Sequence, residues 1–415
     1  MSNSHQHLIR KIHASPLRLV IAVTGGGSLV ISDLLTEPGA SDTVLEAFVP
    51  YGEAALCDLL GHKPEQSCSE KTARRMAMAA FTRARSQTLA TPHKQLIGVG
   101  CTCSLASDRP KRGEHRAHWA VQSGFQTLVA SVVFEKDARS RLEEERLVAD
   151  LLIKTIDAYA SAASHLYVYQ LVETDALTIY LQRLLRPNEK VLLRVEFAGL
   201  EVRDVLFGDR DACCIIPKNW PNVLPDDQNM QPNAGTPAKQ HFLFPGSFDP
   251  MHRGHCRMMQ IVREKYPDVP IALEIAVRNV DKPPVDYIDL YDRFTSIAQT
   301  PGKDGVPVWL TRFPRFADKS DFFRGVTFVV GTDTLKRIAT GLYYQDAIAS
   351  TQAAVERLTG NGCRFLCYAR RNADGELETA ETLDLPDSLR HIVDFVPVSE
   401  FCDDISSTQL RKNQG

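Results

Sequence analysis

Phe242-Leu243-Phe244-Pro245-Gly246-Ser247-Phe248-Asp249-Pro250-Met251-His252-Arg253-Gly254-His255 is the stretch whose reading decides the fold of this chain. A short apolar strand runs into a Gly/Pro turn, two histidines follow at H-x-G-H spacing, and a helix opens with Met259, Val262 and Tyr266 on one face. The first turn of a helix carries unpaired N–H groups and a partial positive charge, and both attract phosphate. Gly254 has no side chain to hold a phosphate away from the backbone. His252 on the loop and His255 in the first turn present imidazole donors to its oxygens. Gly246, Ser247, Phe248 and Asp249 occupy the turn where the strand ends, so they complete a candidate nucleotide-binding set suited to a triphosphate.

Outward from this stretch, strand and helix signals alternate. Strands are expected over 241–244, 271–277, 306–311, 326–330, 365–369 and 392–396, with helices over 254–266, 287–299, 333–339 and 343–358. The alternation predicts an α/β domain over 241–415 built on a Rossmann-like, doubly wound, mostly parallel sheet with its ligand at the carboxyl ends of the strands. Residues 223–240, rich in Pro, Asn, Gln and Asp, read as a linker. Residues 1–165 read as a separate α/β domain, with strands over 19–23, 96–100 and 127–134 and helices over 71–85 and 141–159. Between them, 166–222 reads as a bridging α/β segment, with strands over 166–172 and 191–197.

Composition narrows the function class. The 415 residues carry 44% apolar and 24% charged side chains and a formal net charge of -3, which fits a soluble, cytoplasmic globular protein with no global basic field for nucleic acid or anionic membrane. The N-terminus lacks the apolar core of a signal peptide, and no apolar run is long enough for a membrane span. Ten cysteines show no C-x-x-C pair, so reduced thiols are expected rather than disulfides or a closed zinc site, and no metal ligand set is assigned.

The string G-S-F-D-P-x-H-x-G-H at a strand-to-helix junction resembles the nucleotidyltransferase superfamily, which includes nicotinamide mononucleotide, pantetheine-phosphate and FMN adenylyltransferases and several cytidylyltransferases. Two further stretches continue the resemblance. Ile405-Ser406-Ser407-Thr408-Gln409-Leu410-Arg411 is similar to the superfamily's I-S-S-T-x-x-R motif: a hydroxyl-rich helix start able to bind phosphate, with Arg411 one turn on to neutralise it. Phe328-Val329-Val330-Gly331-Thr332-Asp333 resembles a G-x-D motif, in which Gly331 admits the nucleotide and Asp333 lies near the ribose. No G-x-x-x-x-G-K-[ST] occurs, which disfavours a P-loop kinase. The resemblance implies in-line attack of an acceptor phosphate on the α-phosphorus of ATP, entering with Mg²⁺, with His252, His255 and Arg411 as the catalytic groups. For the phosphorylated small-molecule acceptor, Asn279, Lys282 and Trp309 are the candidate contacts, and a pyridine mononucleotide is the expected substrate.

Residues 15–160 resemble the C-terminal domain of the CinA family, which includes nicotinamide mononucleotide deamidases. The carriers are Thr24-Gly25-Gly26-Gly27, Leu35-Thr36-Glu37-Pro38-Gly39-Ala40-Ser41, Val49-Pro50-Tyr51, Leu59-Leu60-Gly61, Ser69-Glu70-Lys71-Thr72-Ala73 and Met76-Ala77. The chain departs from the family where chemistry is carried. The place of the nucleophilic serine falls on Thr24, the preceding glutamate on Val23, the family lysine on Leu56, and the T-G-I-A-G-P loop on Gly100-Cys101-Thr102-Cys103-Ser104. Thr24 and Tyr51 are therefore candidates for a degenerate deamidase site. A bifunctional deamidase/adenylyltransferase, a cytidylyl- or adenylyltransferase for another acceptor, and a pyridine-nucleotide sensor without chemistry are the alternatives. Oligomeric state is left open.

Overall fold

The computed structural model describes residues 3–88, 95–108, 112–164, 172–220, 241–278, 284–303, 305–339, 347–371, 375–379 and 381–401. They fall into two units: 1–198 with 281–289, and 199–280 with 290–415.

The first unit runs α1 (Asn3–His13), β1 (Arg18–Thr24), α2 (Leu29–Thr36), α3 (Ala40–Thr43), β2 (Val44–Phe48), α4 (Glu53–Leu60), α5 (Glu70–Gln87), β3 (Leu96–Ser104), β4 (His115–Ser123), β5 (Gln126–Phe134), α6 (Arg141–Ala163), α7 (Thr174–Gln182) and β6 (Val191–Phe197). The strands form one sheet in the order β2-β1-β3-β4-β5-β6, parallel through β2, β1 and β3 and antiparallel beyond. Alternate residues of each strand face opposite sides. Leu19, Ile21, Val23, Val99, Trp119 and Leu128 join the α6 residues Val148, Leu151, Leu152 and Ile156 in one core cluster. On the other face, α5 lies unusually close to β3. A Cβ added at Gly98 would sit 2.1 Å from the Phe81 nitrogen, and one at Gly100 2.3 Å from the Ala73 oxygen, so glycine at both positions permits the approach. Both long helices start on hydroxyl caps. Ser69 Oγ accepts from the Thr72 N–H at 3.2 Å, and Ser140 and Glu143 form a reciprocal capping box.

The second unit runs α8 (Leu200–Phe207), β7 (Ala212–Ile215), β8 (His241–Pro245), α9 (Arg253–Lys265), β9 (Ile271–Ala276), α10 (Tyr287–Gln299, its first residues belonging to the first unit), β10 (Val308–Thr311), α11 (Phe316–Phe322), β11 (Val326–Gly331), α12 (Thr332–Ala339), α13 (Ala347–Gly360), β12 (Arg364–Tyr368), the small hairpin β13 (Arg370–Arg371) and β14 (Leu377–Glu378), α14 (Asp387–Arg390) and β15 (Val393–Phe395). Seven strands pair in the order β15-β12-β11-β8-β9-β10-β7, all parallel except β7, which is antiparallel to β10. From β8 the chain winds outward through β9 and β10, then returns to β11 on the other flank of β8. The switch point of this doubly wound sheet therefore lies between β8 and β11, where a crevice opens at the carboxyl ends.

The segment 166–222, read from sequence as a bridging unit, is divided between the two sheets. β6 pairs with β5 from Val132↔Val191 to Gln126↔Phe197, whereas β7 pairs with β10 from Val308↔Ile215 to Thr311↔Ala212. Backbone hydrogen bonding along each strand decides membership, and sequence composition does not carry that information. The expected strand 166–172 and linker 223–240 lie almost wholly outside the described residues. The nine described cysteines are free thiols.

Candidate active site

The H-x-G-H segment sits at the switch point. β8 ends at Pro245, and the Gly246 N–H that follows donates to the Glu274 carbonyl of β9 at 2.9 Å. The turn brings His252 to the N-cap of α9 in extended conformation, φ -139° and ψ 170°. The two imidazoles stack with centroids 3.7 Å apart and planes 27° apart. Phe248, buried and with φ 46°, lies against the other histidine ring at 5.0 Å from His255. Phe248 was expected among the nucleotide contacts; the structure buries it as the support of the His255 ring, an apolar side chain filling the inside of the turn. Ser247 is exposed, Asp249 and His255 are partly exposed, and Gly254 and His252 are buried.

His255 is neutral in the ligand-free protein. Burial first, then the neighbouring His252 and the Arg370 guanidinium, push its pKa down to about 3. Its Nδ1 accepts the His252 backbone N–H at 3.3 Å, so the neutral ring carries its proton on Nε2 and has that N–H to offer a phosphate oxygen. Burial beside two basic groups makes the ring a neutral donor. Because the unfolded chain takes up this proton near the ordinary value of 6.5 and the folded chain only near 3, stability should fall as pH drops through that window. Acidification from about pH 7.5 to about 5.5 is expected to lower the melting temperature of the parent more than that of a folded His255→Asn variant. Equal losses in the two proteins would contradict a depressed His255.

Across the crevice, β11 ends at Gly331 and α12 begins at Thr332. A Cβ added at Gly331 would lie 2.6 Å from Asp333 Oδ1 and 2.7 Å from Arg370 Nε, so only glycine leaves these two side chains their places. Arg370, just past the end of β12, is paired with Asp333 at 3.9 Å. Its Nε and the hydroxyl of the fully buried Thr332 have no hydrogen-bond partner among the described residues. Buried polar atoms of this kind are costly unless a ligand or water satisfies them. Arg370 was absent from the sequence reading, and Thr332 stood there only as the variable middle residue of the G-x-D motif. Their signal is positional: they follow the carboxyl ends of β12 and β11, and strand order is needed before those ends can be set beside β8.

The second motif, Ile405, Ser406, Ser407, Thr408 and Arg411, lies outside the described residues, as do Asn279 and Lys282. The last described residues are tied to the α9 side of the sheet. Glu400 pairs with Lys265 at 2.6 Å, and the Phe401 ring packs at 4.9 Å on Tyr368, whose hydroxyl donates to the Met258 carbonyl at 3.0 Å.

Residues 243–413 match a family model described as cytidylyltransferase-like. Among solved structures, the chain is similar to the competence/damage inducible protein CihA from Agrobacterium tumefaciens, at 22% identity and a TM-score of 0.30, covering 39% of this chain and 94% of that one. It is also similar to a competence-damaged protein (CinA) superfamily protein from Escherichia coli, at 19% identity and a TM-score of 0.29, covering 38% of this chain and 91% of that one. Comparison with curated proteins gives no match. Among the described residues, no helix is long and apolar enough to cross a membrane.

Within the cytidylyltransferase-like domain, Trp309 is not an acceptor contact. It lies inside β10, is 2% exposed, and meets Phe322 and Phe323 edge-on at 5.8 and 5.3 Å. A side chain near the carboxyl end of a strand can point into the core as readily as into the crevice, and the pleat here turns it inward. Trp309→Ala is expected to cost about 3–5 kcal/mol of stability, read from a denaturant midpoint. A variant of parental stability with a raised acceptor KM would return Trp309 to the binding site.

In the first unit, Thr24 ends β1, buried, with its hydroxyl donating to the Pro50 carbonyl at 3.0 Å. Tyr51 is 68% exposed. Leu56, on which the sequence resemblance placed the family lysine, packs in an apolar cluster with Ala22, Leu60 and Met76. The start of α2 already holds a carboxylate: Glu145 Oε1 accepts from Ser28 Oγ at 2.8 Å and from the Leu29 N–H at 3.3 Å. The helix end that would attract an anion is satisfied from within.

Proposed function

We propose that the protein transfers an adenylyl group from MgATP to a pyridine mononucleotide, forming a dinucleotide and releasing pyrophosphate. The observation that carries the nucleotidyltransferase reading is the stacked His252–His255 pair at the N-terminus of α9, at the switch point of a cytidylyltransferase-like domain. An acceptor phosphate oxygen attacks the α-phosphorus, the bond to the bridging oxygen breaks, and pyrophosphate leaves with its electron pair. Such a displacement calls for alignment and charge neutralisation rather than a covalent nucleophile. His255 would donate from Nε2, Arg370 and Arg411 would supply positive charge, and the buried Thr332 hydroxyl would gain a partner. Mg²⁺ would enter with the nucleoside triphosphate and lower the charge that the attacking phosphate meets.

The acceptor is supported by the resemblance of residues 15–160 to pyridine-nucleotide deamidases, an argument from related activities joined in one chain. The test is pyrophosphate release with ATP or CTP against nicotinamide mononucleotide, nicotinate mononucleotide, phosphopantetheine and FMN. ATP with a pyridine mononucleotide should give the highest kcat/KM. Preference for phosphopantetheine or FMN by more than about tenfold, roughly 1.4 kcal/mol of transition-state discrimination, would overturn the acceptor.

For the first unit, the proposal is a relic without deamidase turnover. Among the described residues the Thr24 hydroxyl donates to the Pro50 carbonyl rather than to a base that could activate it, and Leu56 carries no amine. Incubation with nicotinamide mononucleotide should release no ammonia. Ammonia that appears in the parent and vanishes in Thr24→Ala would instead establish a bifunctional enzyme.

A further inference from the structure

We propose that Arg278 and Arg312 form an anion subsite on the acceptor flank of the crevice. It takes a carboxylate at the far end of the acceptor, so a nicotinate-type mononucleotide is preferred to its carboxamide. The inference deepens the reading above and rests on it. All of its residues lie in the second unit.

The sheet fixes where the two side chains start. β9 and β10 run parallel and end together, with Ala276 beside Thr311 and the Val277 N–H donating to the Thr311 carbonyl at 2.8 Å. Arg278 and Arg312 therefore follow adjacent strands at their carboxyl ends, the edge of the sheet on which the ligand crevice opens. The turn from α8 into β7 walls this rim, because β7 is antiparallel to β10 and begins where β10 ends. Both guanidinium groups converge on that turn. A Cβ added at Gly208, the C-cap of α8, would lie 3.4 Å from Arg278 Nη2 and 3.5 Å from Arg312 Nη1.

Partners within the unit account for one cation better than for the other. Arg312 Nη1 donates to the Gly208 carbonyl at 2.8 Å and pairs with Asp211 at 3.6 Å. A carbonyl at a helix C-terminus is an ordinary partner for a cation. Arg278 is half-buried, and its Nε has no hydrogen-bond partner among the described residues. Burial first and then the neighbouring Arg312 lower its proton affinity, with Asp209 acting in the opposite sense. An unmet buried donor on a guanidinium beside a second guanidinium is a costly arrangement, and an anion relieves it.

Position selects the anion. Neighbouring strands lie about 4.8 Å apart, so the end of β10 is roughly 10 Å along the sheet from the end of β8. The reacting phosphate of the acceptor belongs at the histidine pair that follows β8, which leaves the rim at β9 and β10 to the other end of the molecule. On the opposite flank, Arg370 follows β12 and serves the triphosphate in the reading above, so the two cationic sites divide between the two substrates. A nicotinate carboxylate offers two charged oxygens to the guanidinium fork. A carboxamide offers one neutral oxygen and an NH2 group whose hydrogens the cations repel.

The test compares kcat/KM for nicotinate and nicotinamide mononucleotide in the full-length protein, with calorimetric binding of the same two compounds as a second readout. The parent should favour the nicotinate compound by about tenfold or more. Arg278→Met should bring that ratio close to one, while kcat/KM for nicotinamide mononucleotide and the KM for ATP stay within about twofold. A purely structural arginine would instead lower both acceptors together. Arg278→Lys keeps a charge without the fork and should lose part of the preference, so it decides the matter if Arg278→Met does not fold. A parent with no preference for the nicotinate compound, or a folded variant at Arg278 that keeps the preference in full, would overturn the proposal. If the parent released no pyrophosphate with either acceptor, the transferase reading would fall, while the calorimetric preference and its loss at Arg278 would still decide the subsite.

Discussion

His255→Ala should lower pyrophosphate release by about 10²–10³-fold, corresponding to roughly 2.7–4 kcal/mol, with the fold intact. The donor on Nε2 acts on phosphate charge that builds in the transition state, so the loss should appear in kcat more than in KM. The fold should survive because the ring lies at the crevice and is supported by Phe248 and His252 rather than supporting the core. His252→Ala should behave similarly, and the stacked rings make the two losses non-additive, so the double variant should be little worse than either single one. The check is steady-state turnover of variants whose circular dichroism and melting match the parent. Near-parental rates in both folded variants would remove the histidine pair from the mechanism.

Deleting the chain from Ser406 onward should abolish turnover altogether. Chain ends are commonly dispensable, and a tail without function would be lost with no effect. Here the tail carries Ser406, Ser407, Thr408 and Arg411, the hydroxyl-rich helix start and guanidinium that the superfamily resemblance assigns to the triphosphate. The described chain reaches Phe401, packed on Tyr368, so the cut leaves every described core contact in place and the second unit should still fold. Thermal melting would show whether it does. A truncated protein that melts like the parent and releases pyrophosphate at the parent rate would make the second motif a chance match.

Several elements were legible because their side chains repeat with the backbone period. β1, β3 and β5 are apolar runs buried on both faces, and α6 and α10 present apolar residues on one face. β4 was missed. His115, Arg116, His118, Gln122 and Ser123 break its apolar pattern, yet it is a central strand because its polar groups find partners: His115 with Glu144 at 2.8 Å, and Gln122 with Thr127 at 2.6 Å. β7 was missed because four residues, Ala-Cys-Cys-Ile, carry too little period to read. His252, His255, Gly331 and Asp333 could be named as candidates from sequence because their motifs are local. Arg370 could not, because its proximity to the crevice comes from strand order, and Thr332 was passed over as the variable residue of its motif. Trp309 was misplaced because which way a strand residue points depends on the register of the whole sheet.

The sequence by itself determined the α/β class, the strand–turn–helix carrying H-x-G-H and the order of the motifs. All of these rest on near neighbours along the chain, where 2-residue and 3.6-residue periods and cap chemistry act directly. Tertiary structure alone decided the rest. It put the switch point between β8 and β11, set Arg370 beside Gly331, lowered the proton affinity of His255, and assigned β6 and β7 to different sheets. It also brought Arg74 to Asp286 and the buried Lys319 to Glu274 at 2.6 Å. These outcomes depend on which distant groups share a low-dielectric interior, and there a charge persists only if its partner arrives with it.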